Sequence, residues 1–236
     1  MRDITKKFLV EMSGYKRVYG DINLDDFSED LRVARALGST ELVNDESGKK
    51  KFVRLTSNRN QNGRLVVNDT LTFGDDGFIR VRCTFRISEN GGARDADGPG
   101  ADGIKLILVG SKGEIEVFID TYHNIEDASG NHIDLSINGT KIDEAYYKHR
   151  LNNDKIYTLQ LELRNGVITV GIESDESMED DTDDLAAISP LIAHPLNVAD
   201  RLGKELTIQV IGITGAGYQT QDVLGLSYQS NYHLDF

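Results

Sequence analysis

Apolar and polar residues alternate with a period of two along most of the chain, which is the pattern of strands that bury one face and wet the other. The strand candidates are KFVRLTS (51–57), GFIRVRCTFRIS (77–88), GIKLILVG (103–110), EIEVFIDTY (114–122), HIDLSI (132–137), IYTLQLELR (156–164), GVITVGIES (166–174), ELTIQVIGITG (205–215) and DVLGLSYQ (222–229). They are enough for two packed sheets, so the pattern predicts an all-β sandwich. Asn165-Gly166 separates two of these runs, and Asn-Gly suits the positive φ that both central positions of a type I′ turn require, so a hairpin is predicted there. Helical spacing is scarce. LAAISPLIAH (185–194) is the best short helical candidate, and residues 20–50, with mixed charges and few apolar positions, read as irregular edge structure.

Composition narrows the picture. The chain has 236 residues, 39% of them hydrophobic, with no internal repeat, no low-complexity linker and no break in composition, so a single domain over residues 1–236 is expected. No apolar run is long enough to span a bilayer, which argues against membrane insertion. A formal net charge of −13 argues against nucleic acid as a partner, because binding there depends on Lys and Arg neutralising phosphates. The run SDESMEDDTDD (174–184) repels itself and reads as a solvated loop; it lacks the Gly-containing spacing of an EF-hand. Cys83 is the only cysteine, so no intramolecular disulfide can form, and its place in an alternating run predicts an inert buried thiol. The opening MRDITKKFLVEMSGYKR shows no continuous apolar stretch and no cleavage site, which reads as either an intracellular chain or a piece of a longer one. Asn68-Asp69-Thr70 and Asn138-Gly139-Thr140 match the N-glycosylation pattern, which matters only for a eukaryotic secretory protein.

The stretch richest in candidate chemistry is IEVFIDTYHNIEDASGNHIDLSI, where a strand runs into a loop dense with oxygen donors: Asp120, the Tyr122 carbonyl, Asn124 and Asp127. Hard cations such as calcium take such all-oxygen sets. Asp and Asn also cap turns, so the stretch alone is compatible with a plain turn. Upstream, Ala101-Asp102-Gly103 stands directly before an apolar strand. Downstream, Thr214-Gly215-Ala216-Gly217-Tyr218-Gln219 forms a Gly-rich turn between two strands. A second Asp-Gly pair, Asp97-Gly98, does not lead into a strand and reads as a turn.

In order and rough spacing these three segments resemble the legume-type (L-type) lectins over about residues 51–229, with NRNQNGRLVVND (58–69) similar to the early strands of that family. The resemblance is greatest to bacterial surface adhesins and to animal secretory-pathway cargo lectins. It implies a concanavalin-like antiparallel β-sandwich of the jelly-roll kind and calcium-dependent carbohydrate binding without catalysis. It also implies an extracellular or cell-surface setting as part of a longer protein. By the same resemblance Asp120, Tyr122 through its carbonyl, Asn124 and Asp127 would hold Ca2+. Asp102, Gly103, Tyr122, Asn124, Gly217, Tyr218 and Gln219 would form the carbohydrate site. Calcium would fix the loop, the Asn124 amide would donate to a sugar hydroxyl, and Asp102 would accept from neighbouring hydroxyls. Tyr122 or Tyr218 would stack on the sugar. The peptide before Asp102 would be cis.

The chain departs from the plant pattern in three places. Phe118 stands where plant members carry a manganese-binding Glu, so calcium alone is expected and His132 reads as structural. The Asn124-to-Asp127 separation is short, leaving Glu126 or Asp134 as alternatives to Asp127. The loop from Gly110 to Gly113 is also short, which puts one backbone contact to sugar in question. Two other readings stand beside the lectin. One is a laminarinase-like glycoside hydrolase, suggested by Glu114, Glu116 and Asp120 alternating along one strand face, although Phe118 interrupts the acid series and the chain has no tryptophan. The other is a structural or protein-interaction sandwich in which calcium only stabilises the fold.

Overall fold

The computed structural model describes residues 9–12, 15–18, 27, 34–45, 47–68, 70–72, 78–96, 98–124, 129–175 and 188–233. The strands are β1 (Leu9–Met12), β2 (Tyr15–Val18), β3 (Ala34–Gly38), β4 (Glu41–Asn44), β5 (Lys51–Thr56), β6 (Asn62–Val67), β7 (Leu71–Thr72), β8 (Phe78–Gly92) and β9 (Gly103–Gly110). They continue with β10 (Glu114–Asp120), β11 (His132–Ile137), β12 (Thr140–Tyr146), β13 (Ile156–Arg164), β14 (Val167–Ser174), β15 (Pro190–Pro195), β16 (Glu205–Ile213) and β17 (Gly217–His233). The bounds of β9, β11 and β13 coincide with strand candidates of the sequence. Among the described residues, one sheet has nine strands, in the order β1-β2-β17-β8-β13-β14-β15, with β5 and β4 joining along β17. The other has eight, in the order β12-β11-β10-β9-β16-β6-β3, with β7 added to β16. Neighbouring strands are antiparallel, as in β8 with β13 and in β10 with both β9 and β11.

The alternation explains the layers. On β8 the residues Ile79, Val81, Cys83, Phe85 and Ile87 point inward, and on β10 so do Ile115, Val117 and Ile119, all at most 1% exposed. Each such aliphatic or aromatic side chain contributes roughly 1.5–3 kcal/mol by leaving water, and together they form the core between the sheets. Burial pushes the Cys83 thiol up to about 12, so it is not a thiolate at neutral pH. The predicted hairpin is present: Arg164 pairs with Val167 across a turn in which Asn165 and Gly166 have φ of 50° and 71°.

Two expectations need correction. Where it is described, the stretch 185–194 is not helical: Pro190–Pro195 forms β15, the edge partner of β14. Proline suits a sheet edge, where the missing N–H is not needed by a further strand, and the apolar spacing comes from Ile188 and Ile192 covering the interior. The short helix lies just beyond, as α1 (Val198–Leu202). Residues 34–44, read as irregular, form the regular strands β3 and β4, and four of the five β3 residues are exposed, as their mixed composition requires. Most of the acidic run 174–184 lies outside the described residues. No helix among the described residues is long and apolar enough to cross a membrane.

One charged cluster ties β5, β8 and β17 together. The Asp222 carboxylate, 0% exposed, accepts from Arg54 Nε at 2.8 Å and from Arg86 Nη2 at 2.9 Å. Both guanidinium groups also lie over the Phe52 ring, at 5.6 and 5.8 Å. Removing the anion leaves two like charges facing each other without their counter-ion. Asp222→Ala is expected to lower the unfolding free energy by about 3 kcal/mol, read from denaturant midpoints at constant m-value. An unchanged midpoint would show that the cluster is incidental to the fold.

Candidate functional site

The antiparallel order brings distant parts of the sequence to one end of the sandwich. Asp120, the last residue of β10, pairs with Gly103, the first of β9, and Gly103 pairs on its other side with Ile213, the last of β16. Asp102, Thr121 and Thr214 therefore emerge side by side. Gly103 has φ of 154°, and a Cβ there would run into the Ile119 carbonyl and sit 3.0 Å from the Phe118 ring, so glycine is required for the close approach.

Asp102 is anchored through its backbone. The Ala101–Asp102 peptide is cis. The Asp102 N–H donates to the Ile213 carbonyl at 2.9 Å, and the Asp102 carbonyl accepts from Thr121 N at 2.8 Å and from Thr121 Oγ1 at 3.0 Å. Its carboxylate is half-buried, and both oxygens lie 3.9 Å from where a Cβ of Gly215 would stand. Burial raises the pKa of this group, with Lys105 acting weakly the other way. Gly217 is buried, and a Cβ on it would come 2.8 Å from that of Ala101, so the Gly-rich turn lies directly against the Ala101-Asp102 segment.

The loop after β10 lies beside this point. Asp120 is 6% exposed and its Oδ1 accepts the Tyr122 N–H at 2.8 Å. Tyr122 is half-buried and Asn124 is exposed. Asp127 and Glu126 lie outside the described residues, as does Asp97. Asp120, the Tyr122 carbonyl and Asn124 offer carboxylate, carbonyl and amide oxygens, a donor set that fits calcium. Asp95 holds the loop from behind: its Oδ2 accepts the His123 N–H at 2.6 Å and its Oδ1 the Gly98 N–H at 2.8 Å. The sequence reading missed Asp95, although its Asp-x-x-Gly spacing was a turn signal.

Donors for a second metal beside the loop fit poorly. His132 is 1% exposed, with Nδ1 2.8 Å from the Ser129 carbonyl and Nε2 3.6 Å from Asp134 Oδ2 and 3.8 Å from Asp120 Oδ2. Burial opposes a charge on this ring, but the Asp134 carboxylate beside it, the Ser129 carbonyl and the Asp120 carboxylate outweigh it and push the pKa up to about 9. Phe118 faces Asp134 across the sheet. His132, Asp134 and Glu144 stand close enough to share an ion, yet the Lys141 ammonium already lies 3.4 Å from Asp134 and 2.5 Å from Glu144. An imidazolium and an ammonium satisfy these acids without a metal, which also occupies Asp134, one of the alternatives to Asp127.

The Gly-rich turn carries the remaining residues. The Tyr218 ring packs where a Gly91 side chain would be, with its Cζ 2.6 Å from that Cβ position, and the Arg59 guanidinium sits 5.7 Å from the ring centroid. The loop bearing Arg59 is tied to the turn by Asn60 N–H to the Gly215 carbonyl at 3.1 Å, so Arg59 and Asn60 also border the site. Neither was singled out from the sequence. Gln219, expected to touch sugar, is instead 0% exposed, with its amide Nε2 2.8 Å from Thr121 Oγ1, so it backs the site from inside. On the neighbouring sheet face, Glu116 Oε1 is bound by Lys105 Nζ at 2.8 Å, and Lys105 also lies 4.7 Å from the Phe118 ring centroid.

No protein-family profile matches the chain, and no characterised protein matches it by sequence. Solved structures do match. Lectin I-B4 from Griffonia simplicifolia, in a metal-free form, has a TM-score of 0.68 at 16% identity, covering 90% of this chain and 99% of that one. Peanut lectin in complex with a nine-residue peptide has a TM-score of 0.69 at 14% identity, covering 92% and 98%. The exoplasmic/lumenal domain of VIP36, bound to Ca2+ and Man3GlcNAc, has a TM-score of 0.62 at 17% identity, covering 89% and 87%. These likenesses span nearly the whole of each partner, and they show the fold of the chain to be the L-type, legume-lectin β-sandwich.

Proposed function

We propose that the chain is a non-catalytic lectin that binds carbohydrate through a calcium-organised site at the β9–β10–β16 end of the sandwich. The observation that carries this reading is the meeting of three sequence-distant segments around one half-buried carboxylate. Asp102 is bonded to Thr121 of the oxygen-rich loop and abuts Gly215 of the Gly-rich turn. Calcium would be held by Asp120, the Tyr122 carbonyl and Asn124, with Asp127 completing the set, and would supply the fixed charge that orders the loop. Asp102 would accept from adjacent sugar hydroxyls, Asn124 would donate to another, and Tyr122 or Tyr218 would offer a ring for the sugar's apolar face. Arg59 and Asn60 extend the rim. The VIP36 structure with Ca2+ and Man3GlcNAc shows the same fold carrying such a pairing in another protein and supports the proposal by analogy.

The arrangement of acids favours binding over hydrolysis. A retaining glycosidase needs two carboxyl groups about 5–5.5 Å apart. Glu116 is held by Lys105, and the next residue on its face is Phe118. A setting outside the cell or on its surface, as in an adhesin, belongs to the same proposal.

A monosaccharide held by a few hydrogen bonds and one stacking ring is expected to bind in the millimolar range, about −4 kcal/mol. The best hit from a glycan array run in calcium, titrated calorimetrically, is expected to lose detectable binding with Asp102→Ala and with chelator. A hydrogen bond to a charged acceptor contributes roughly 1.5–3 kcal/mol, most of so weak an affinity. Undiminished binding by Asp102→Ala would place the sugar elsewhere.

Elemental analysis of protein exposed to both ions is expected to give one calcium and no manganese per chain. Two metals would mean that His132 and its carboxylates displace Lys141 and take an ion.

A further inference from the structure

Resting on the reading of Asp102 as the ligand-facing carboxylate and of residues 120–124 as the cation loop, we propose that Thr121 and Gln219 are positioning residues that transmit order in that loop to Asp102. Thr121 stands between Asp120 and Tyr122, so it moves when either moves. It is 1% exposed, and both its N–H and its Oγ1 meet the Asp102 carbonyl, at 2.8 and 3.0 Å. Asp102 is pinned on its other side by its own N–H to the Ile213 carbonyl. A shift of Thr121 therefore turns the Asp102 peptide about that fixed point and re-aims the carboxylate.

Gln219 decides which way the hydroxyl of Thr121 points. A hydroxyl has one hydrogen to donate and can accept as well. Thr121 Oγ1 lies 2.8 Å from Gln219 Nε2 and 3.1 Å from Gln219 Oε1. When Nε2 donates to Oγ1, the hydroxyl hydrogen is left for the Asp102 carbonyl. Gln219 has no exposed surface, so it cannot touch a ligand, and an amide in an apolar interior is stable only with partners such as this one. Its own carbonyl accepts from Thr56 Oγ1 at 3.1 Å, fixing it to β5. The register of β17 against β8 shifts between Tyr218 and Thr220, opposite Glu89, whose φ is 50°. The relay thus runs from the cation loop through Thr121 to Asp102, with Gln219 as its brace in the interior. Linkage requires it to work in both directions, so ligand at Asp102 should tighten calcium as much as calcium tightens ligand.

The test uses the full chain and two readouts. The first is residue-resolved amide hydrogen exchange with and without calcium, for wild type, Thr121→Val, Thr121→Ser and Gln219→Met. Calcium is expected to slow exchange at Tyr122 and Asp102 together in wild type by about tenfold or more, as the segment closes. In Thr121→Val it should slow Tyr122 as in wild type and Asp102 clearly less, since only the backbone N–H bond to the Asp102 carbonyl remains, while Thr121→Ser restores the wild-type response. Gln219→Met keeps the length, removes the amide and should weaken the response at Asp102; it serves in place of Thr121→Val should that variant not fold. The second readout is calorimetry with galactose, N-acetylgalactosamine and mannose. Thr121→Val should bind sugar about threefold to tenfold more weakly, the loss of one neutral hydrogen bond, at a calcium affinity measured without sugar that stays within about twofold of wild type. Calcium slowing Asp102 in Thr121→Val as much as in wild type, or leaving it unchanged in wild type, overturns the relay. Failure of wild type to bind any of the sugars counts against the carbohydrate reading alone, because the exchange arm still decides the relay.

Discussion

The close approach of β9 to β10 at Gly103 is the constraint on which the candidate site depends. With no side chain, Gly103 lets its backbone lie against the Ile119 carbonyl, and the register Asp120↔Gly103 follows. That register puts Asp102 opposite Thr121 and lets three hydrogen bonds clamp the Asp102 backbone between β10 and β16. A larger residue at 103 would push the strands apart where Asp102 and the 120–124 loop share a hydrogen-bonded frame.

A second constraint comes from polarity in the interior. Towards the candidate site, the inward face of β17 changes from Val223 to Gln221 and Gln219, both 0% exposed. Burying an amide without partners is unfavourable by roughly 1–3 kcal/mol in proteins. Gln219 finds its partner in Thr121, and Gln221 Nε2 finds one in the Ile213 carbonyl at 3.0 Å. Both bonds lead to residues that hold Asp102. The demand for satisfied buried groups thus stiffens the end of the sandwich where a ligand would need a preorganised surface.

Much of this was legible in the sequence. Alternation placed β11 and β13 to the residue, and a continuous apolar run bounded by glycines placed β9. Asn165-Gly166 marked its hairpin for an equally local reason. Three short motifs marked segments that the fold brings to one end of the sandwich, because Asp102, the 120–124 loop and the Gly-rich turn each close or open a strand. What escaped was set by tertiary context. Pro190 and Pro195 border an edge strand that reads like a helix when Ile188 and Ile192 are counted as a helical stripe. Gln219 looks like a surface residue by type, and only the register of β17 beside β8, which shifts between Tyr218 and Thr220, goes with its inward placement. Asp95, Arg59 and Asn60 reach the site through loops whose direction no periodicity encodes.

The charges around the loop bear on where the cation of the proposed reading would sit. His132 and Lys141 lie among Asp120, Asp134 and Glu144, so the sheet side of the cluster already contains its own positive charge. A divalent ion on that side would have to displace an ammonium and deprotonate an imidazole whose pKa is near 9. On the loop side, Asp120 Oδ1 meets the Tyr122 N–H, and Asn124 stands beyond it at the surface. A hard cation there would neutralise the half of the Asp120 carboxylate that His132 does not face. On the proposed reading the ion would then sit on the side of Thr121, whose N–H and hydroxyl meet the Asp102 carbonyl.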